Sequence, residues 1–173
     1  LLCNPHNPGG RVWSRDELER VAVLCKKHGV RVVSDEIHCE LTLGDHRYTP
    51  FGTLPDDLSY GSVTCCSPSK AFNIAGLQIA NIVCRDAAVR ERIDRAININ
   101  EVCDVNPFGV LALQAAYSDG GYEWLCQLRA YITENYRRLR NFFARELPHL
   151  PVMNMEGTYL AWVDCSSLGE SSE

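Results

Sequence analysis

The sequence predicts an α/β fold built on a mostly parallel β-sheet. Residues 1–3 read as the end of a strand, a helical pattern begins after Ser14, and a short apolar run follows at 30–34. This strand, helix, strand order is a βαβ unit, whose right-handed crossover makes its two strands parallel. A further apolar run at 62–66 predicts a third strand.

A polar segment follows each of these three predicted strands. The segments are 4–10 (NPHNPGG), 35–38 (DEIH) and 67–70 (SPSK). Ligands of open parallel sheets bind beyond the carboxyl ends of the strands. We therefore expect the three segments to lie side by side along one edge of the sheet.

The first predicted helix has its own start and stop signals. Ser14 and Glu17 form an S-x-x-E capping box. Gly29 follows the last turn, where a glycine usually closes a helix. The apolar residues between them recur on one face, namely Leu18, Val21, Ala22 and Cys25.

The middle of the chain predicts one more strand and two helices. Asn106 is expected to cap the second of these helices, with Pro107 at its first position. The strand is expected at 79–84 and the helices at 86–97 and 107–118.

A long amphipathic helix is predicted at 122–147, after a break at Gly120–Gly121. Pro148 and Pro151 are expected to end it, and 157–164 (GTYLAWVD) reads as a strand that begins a new unit. The apolar stripe of the helix comprises Leu125, Leu128, Ile132, Tyr136, Leu139 and Phe143.

Composition and charge narrow the functional class. The chain has 173 residues, of which 46% are hydrophobic and 23% charged, as in globular proteins. Its net charge of −5 argues against nucleic acid or an anionic membrane as the main partner. We find neither a signal peptide nor an apolar run long enough to span a membrane.

The nine cysteines do not form a metal-binding or disulfide pattern. They are scattered through apolar runs, with one vicinal pair at Cys65–Cys66 and no C-x-x-C spacing. This usage is typical of buried thiols in a reducing cytoplasm, and no metal site is expected. Because the sequence starts at Leu1, in what reads as a strand already under way, we expect it to be an excerpt from a longer protein.

The three polar segments together contain the groups that pyridoxal 5′-phosphate (PLP) requires. The amine of Lys70 could form a Schiff base with an aldehyde and then move protons. Asp35 could pair with a protonated pyridine nitrogen, and Asn7 could donate to the ring oxygen. The hydroxyl groups and backbone N–H groups around Ser67 and Ser69 could take the phosphate. On spacing alone, a solvated lysine in a surface turn and an aspartate in a simple turn explain the same residues.

In the same order along the chain, NPHNPGG, SDEIH and SPSKAFNIAGLQ resemble the core of fold-type I PLP enzymes, the class I/II aminotransferase family. The resemblance covers nearly the whole chain. It implies a three-layer α/β/α, PLP-dependent transferase-like large domain, of which 1–121 would be the C-terminal part. It also implies a connecting helix at 122–147 and the start of a small C-terminal α/β domain at 148–173.

The same resemblance implies a role for each matching residue. Lys70 would be the catalytic Schiff-base lysine, and Asp35 the partner of the pyridine nitrogen. Asn7 would contact the ring oxygen, and Ser67 would bind the phosphate, with Ser69 as a weaker candidate.

Two positions depart from the usual pattern of these aminotransferases. His38 replaces a tyrosine three residues after the aspartate, and Gln78 replaces a phosphate-binding arginine eight residues after the lysine. Both changes are similar to the cystathionine β-lyase branch, the C–S lyases of the MalY and PatB type. A neutral Gln78 cannot neutralise a phosphate, so hydroxyl groups and a helix N-terminus would have to stabilise it. A packed histidine and a strand-edge glutamine are the structural alternatives, and we assign no role to His6 or Glu36.

The resemblance implies a C–S β-lyase that converts a sulfur-containing amino acid to a thiol, pyruvate and ammonia. An amino-acid aminotransferase is the second candidate, because both reactions begin with removal of the α-proton by Lys70. An inactive interaction or scaffold module is a third. The implied partners are a small amino-acid substrate and, for the full-length protein, a second identical subunit in the cytoplasm.

Overall fold

The computed structural model describes residues 1–170 and contains a four-stranded mixed sheet. The strands are β1 (Leu2–Cys3), β2 (Val33–Asp35), β3 (Val63–Cys66) and β4 (Asn81–Val83), in spatial order β1-β2-β3-β4. Strands β1, β2 and β3 are parallel, as the βαβ pattern predicts. Strand β4 runs antiparallel to β3.

Five α-helices accompany the sheet within the described residues. They are α1 (Arg15–Lys27), α2 (Asp56–Ser59), α3 (Ala87–Ile99), α4 (Pro107–Ala116) and α5 (Asp119–Glu146). Short 3-10 turns lie at Phe51–Thr53, Ala75–Leu77 and Ser166–Leu168. In the part of the chain that the structure describes, none of the helices has both the length and the apolar character needed to cross a membrane.

Helix α1 begins and ends at the predicted residues. The Ser14 hydroxyl accepts from the Glu17 backbone N–H at 3.3 Å, and the Glu17 carboxyl accepts from the Ser14 N–H at 3.0 Å. Gly29 has φ +65°, and the N–H of Val30 returns to the Cys25 carbonyl at 2.8 Å. Val30 therefore belongs to this closing turn and is exposed, so the strand expected at 30–34 begins only at Val33.

Three apolar clusters join the helices to the sheet and its loops. One packs α1 against the sheet, the second packs α3 against β3, and the third packs α5 against the turns after β2 and β3. Their buried members are Leu18, Ala22, Val32, Phe51 and Leu54 in the first, Val63, Cys84 and Val89 in the second, and Leu41, Ala71 and Leu125 in the third.

The sequence predicts a break at Gly120–Gly121, but both glycines lie within a helix. Helix α5 begins at Asp119, and the Ser118 hydroxyl caps it by accepting from the Gly121 N–H at 3.2 Å. A side chain at Gly121 would collide with the backbone carbonyl oxygens of Ala115 and Ala116 at the end of α4. Gly121 thus allows two helices to meet closely, instead of interrupting one.

The segment 157–164 does not form the predicted strand. It makes two isolated antiparallel bridges, from Gly157 to Thr42 and from Val163 to Val152. Thr158 lies between them with φ +67°, in the left-handed region, and this interrupts the extended backbone that a strand needs. Of the unit expected at 148–173, residues 171–173 lie outside the described residues.

Candidate cofactor site

The carboxyl ends of β1, β2 and β3 meet at one edge of the sheet. Cys3 is paired with Asp35, and Asp35 with Cys65, so the three strands end at the same level. Two backbone hydrogen bonds continue past the strands: Asn4 N–H to Asp35 at 3.0 Å and Glu36 N–H to Cys65 at 2.8 Å. The three polar segments therefore start side by side, as predicted.

His38 lies at the centre of this edge and is 1% exposed. The Asn7 side-chain Nδ2 lies 3.5 Å from its Nε2. Because the amide nitrogen can only donate, Nε2 accepts and the ring proton is assigned to Nδ1. Nδ1 is buried and has no hydrogen-bond partner in the described part of the chain. A buried donor without a partner is unusual in a folded protein.

Burial and two nearby charged side chains affect the pKa of His38. Burial lowers this pKa below the ordinary value, and the positive charge of Lys70 lowers it further, while the negative charge of Asp35 acts in the opposite direction. Lys70 and Asp35 are thus both close enough to act on the same ring. The structure thus brings together four of the predicted site residues from three different turns, namely Asn7, Asp35, His38 and Lys70.

Asp35 and Lys70 are held by their own turns. One Asp35 carboxyl oxygen accepts from the Ile37 backbone N–H at 3.2 Å. Lys70 is half-buried in a turn closed by hydrogen bonds from Phe72 N–H to Pro68 at 2.9 Å and from Ile74 N–H to Ser69 at 3.1 Å. The next residue, Ala71, is buried against α5, which anchors the turn.

Ser67 is buried in the turn after β3. Its hydroxyl donates to the Ile79 carbonyl at 2.5 Å and accepts from the Ser69 N–H at 3.1 Å. A hydroxyl has one proton to donate, so Ser67 has none left for a phosphate in this arrangement. Ser69 uses only its backbone N–H in this pair.

Gln78 lies at the end of the 3-10 turn Ala75–Leu77, in the left-handed region with φ 51°, and is exposed. Gln78 is therefore not the strand-edge residue that the structural alternative expects, because β4 begins only at Asn81. Its neighbour Ile79 accepts the Ser67 hydroxyl, so Gln78 is adjacent to the Ser67–Lys70 turn.

Glu36, to which the sequence assigned no role, is a buried scaffold residue with 1% exposure. Its carboxyl accepts hydrogen bonds from the Ser34 hydroxyl at 2.7 Å, the Phe51 N–H at 2.9 Å and the Tyr48 hydroxyl. Burial and this contact raise the pKa of Tyr48. The group fixes the loop at 48–51 beneath the turn that holds Asp35 and His38. Only its place beside Asp35 could have drawn attention to Glu36.

His6 also has a structural role, because its Nδ1 accepts from the Gly9 N–H at 3.3 Å and supports the turn after β1. Within residues 1–170, no group of three or more His, Cys, Asp or Glu side chains is arranged to hold a metal ion.

Comparison with known proteins decides the family. The sequence profile of the family described as "Aminotransferase class I and II" matches residues 1–172. The chain belongs to the class I and II aminotransferase family.

Members of the class I and II aminotransferase family that resemble this chain include lyases. The chain is 47% identical over 171 residues to the cystathionine beta-lyase PatB of Bacillus subtilis, a match that covers 99% of this chain and 44% of that protein. The crystal structure of cystalysin from Treponema denticola, which contains a pyridoxal 5′-phosphate cofactor, has a TM-score of 0.94 at 33% identity, covering 98% of this chain and 43% of cystalysin. The PLP-bound C–S lyase from Staphylococcus hominis has a TM-score of 0.84 at 39% identity, covering 95% of this chain and 42% of that enzyme.

These similarities confirm the predicted fold class, an α/β domain of the type found in PLP-dependent members of the class I and II aminotransferase family. The chain spans less than half the length of the relatives it matches.

Proposed function

We propose that this chain is part of a PLP-dependent C–S β-lyase that acts on sulfur-containing amino acids such as cystathionine. The main observation is that Asp35 and Lys70 both lie close enough to His38 for their charges to affect it, at the sheet edge where the buried Nδ1 of His38 lacks a partner. Similarity to PatB at 47% identity supports the choice of lyase.

The residues present fit the cofactor at most positions. Lys70 would bind its aldehyde group, Asp35 would hold a proton at its pyridine nitrogen, and the second N–H of Asn7 would donate to its ring oxygen. Ser69 and Gln78 are the candidates for the phosphate. Ser67, the residue that the resemblance favours, is also a candidate for the phosphate, although its hydroxyl contacts the Ile79 carbonyl in this structure.

When bound, PLP supplies an electron sink that stabilises negative charge on the α-carbon of an amino acid. The residues of the chain would then remove and hold the protons. Lys70, displaced by the substrate amine, would remove the α-proton, and Asp35 would keep the ring nitrogen protonated. Departure of the thiolate from the β-carbon and hydrolysis would give the thiol, pyruvate and ammonia.

An aminotransferase is the second candidate function. The matched family takes its name from this reaction, and in it the same Lys70 would move the substrate's α-proton without the departure of a thiolate. An inactive interaction module is the third candidate, which requires that Lys70 does not react.

We further propose a division into the C-terminal part of a PLP-binding domain, a connecting helix and the start of a small domain, at 1–121, 122–147 and 148–173. The observed bounds of α5, Asp119–Glu146, support a long helix at the junction. We also propose a homodimer of the full-length protein, located in the cytoplasm. The free cysteines support a reducing compartment.

Borohydride fixation tests the proposal. Full-length protein is mixed with PLP, its visible absorption is recorded, and sodium borohydride is added before peptide mapping. We expect the cofactor on the peptide that contains Lys70, and none in Lys70→Ala or Lys70→Arg. Arginine is the matched control, since it keeps the charge but cannot bind the aldehyde. Equal labelling of the variants, or none of the native protein, would reject the PLP site at Lys70.

Turnover by the PLP-loaded protein, measured without borohydride, then separates the reactions. Release of pyruvate and a thiol from cystathionine, with no keto acid added as amino-group acceptor, indicates a lyase. Amino-group transfer to an added keto acid, with no pyruvate from cystathionine, would indicate the aminotransferase instead.

A further inference from the structure

The segment 155–159, which follows α5, is hydrogen-bonded to the polar segment after β1. The N–H groups of Glu156 and Gly157 both donate to the Gly10 carbonyl, at 2.7 and 2.9 Å. In return, the Val12 N–H donates to the Glu156 carboxyl at 2.9 Å. Three hydrogen bonds thus join this segment to the chain near Asn7.

The same segment is also fastened to the turn that contains His38. Thr158 N–H donates to the Leu41 carbonyl at 2.8 Å, and Leu43 N–H donates to the Glu156 carbonyl at 2.8 Å. The 155–159 segment therefore bridges two of the three polar segments of the candidate site.

The fit between these pieces is close. A Cβ atom on Gly157 would lie 3.0 Å from the Leu41 oxygen, 3.0 Å from Val12 Cγ2 and 3.1 Å from Pro5 Cβ, so only glycine fits without displacement. The next residue, Thr158, is fully buried in the left-handed region at φ +67°. A β-branched residue adopts this conformation only where its surroundings impose it, which is most common at functional sites.

Tyr159, the next residue, contacts the candidate site directly. Its ring lies edge-on to the imidazole of His38, with centroids 5.5 Å apart and planes at 71°. The other groups that face His38 are Asn7, from the turn after β1, and the charged side chains of Asp35 and Lys70.

We propose that the 155–159 segment forms part of this site. In it, Tyr159 is a positioning residue that keeps His38 buried and directed at Asn7. This rests on the proposed function only in taking the sheet edge as the cofactor site. The sequence placed GTYLAWVD in a separate unit and gave Tyr159 no role. The observed contacts make the segment part of the same local structure as Asn7 and His38.

The titration of His38 provides a direct test of this role. Burial is the main cause of the lowered pKa of His38, so removal of the Tyr159 ring exposes the imidazole to water and must raise that pKa. The Asp35 and Lys70 charges remain in place in such a variant, and their opposed effects stay constant.

The experiment follows the His38 imidazole by NMR during a pH titration of the full-length protein without cofactor, with His38→Gln used for assignment. We expect Tyr159→Ala to raise the pKa of His38 by about half a unit or more. Tyr159→Phe, which keeps the ring, should titrate as the native protein does. Tyr131→Ala is the matched control, because Tyr131 is an exposed tyrosine of α5 with 66% exposure.

An unchanged His38 pKa in folded Tyr159→Ala would overturn the proposal, as would an equal shift in Tyr131→Ala. If Tyr159→Ala does not fold, Tyr159→Leu replaces it with the same expected direction. Borohydride labelling of Lys70 is measured on the same proteins. Its failure in the native protein would reject the PLP site, while the NMR result would still decide the role of Tyr159.

Discussion

Asp35→Asn is expected to reduce kcat/KM for β-elimination by about 100-fold or more while leaving borohydride labelling of Lys70 intact. The asparagine oxygen can still accept from the Ile37 N–H, which Asp35 does at 3.2 Å, so the turn should keep its shape. What is lost is the negative charge that would keep a proton on the ring nitrogen. Steady-state kinetics and peptide mapping of the same preparation measure the two effects.

Asp35→Glu serves as the control for charge, since it keeps the carboxylate but moves it by one methylene group. We expect its activity to lie between those of the native protein and Asp35→Asn. Native-like turnover in Asp35→Asn would contradict the assigned role, and loss of labelling at Lys70 would point to a damaged turn instead.

Glu36→Ala is expected to give the largest loss of stability, about 3 kcal/mol or more in the free energy of unfolding. The substitution removes the acceptor of three hydrogen bonds and leaves the Ser34 hydroxyl, the Tyr48 hydroxyl and the Phe51 N–H without a partner. Each unsatisfied buried donor costs about 1–3 kcal/mol. Urea denaturation followed by circular dichroism measures the difference.

Glu36→Gln should be less damaging, because its amide oxygen can still accept while its NH₂ group faces one of the former donors. Glu123→Ala, on the exposed surface of α5, is the control for loss of a glutamate elsewhere. A change of less than about 1 kcal/mol in Glu36→Ala would show that the loop at 48–51 does not depend on this carboxyl group.

The location of the site could be predicted from the sequence because it follows from strand order. Parallel strands end at one edge, and the motifs after β1, β2 and β3 lie within a few residues of those ends. Helix α1 was also predictable, because its signals at Ser14 and Gly29 act on neighbouring residues. In both cases the relevant interaction is local or follows from a simple rule of topology.

The remaining features depend on contacts between residues far apart in the chain. Glu36 accepts from Tyr48 and Phe51, twelve and fifteen residues later, and no spacing rule relates them. The bridge from Gly10 to Gly157 joins the two ends of the chain. The contact between the Ser67 hydroxyl and the Ile79 carbonyl, twelve residues later, is another that the motif does not specify.

The close junction of α4 and α5 restricts which amino acids position 121 can accept. The residue is only partly buried and lies outside the candidate site, yet the carbonyl oxygens of Ala115 and Ala116 occupy the space of any side chain. A survey of substitution tolerance would therefore score Gly121 as severely as a reactive residue. Its intolerance would reflect the steric limit on joining two helices through Tyr117 and Ser118, and would say nothing about chemistry.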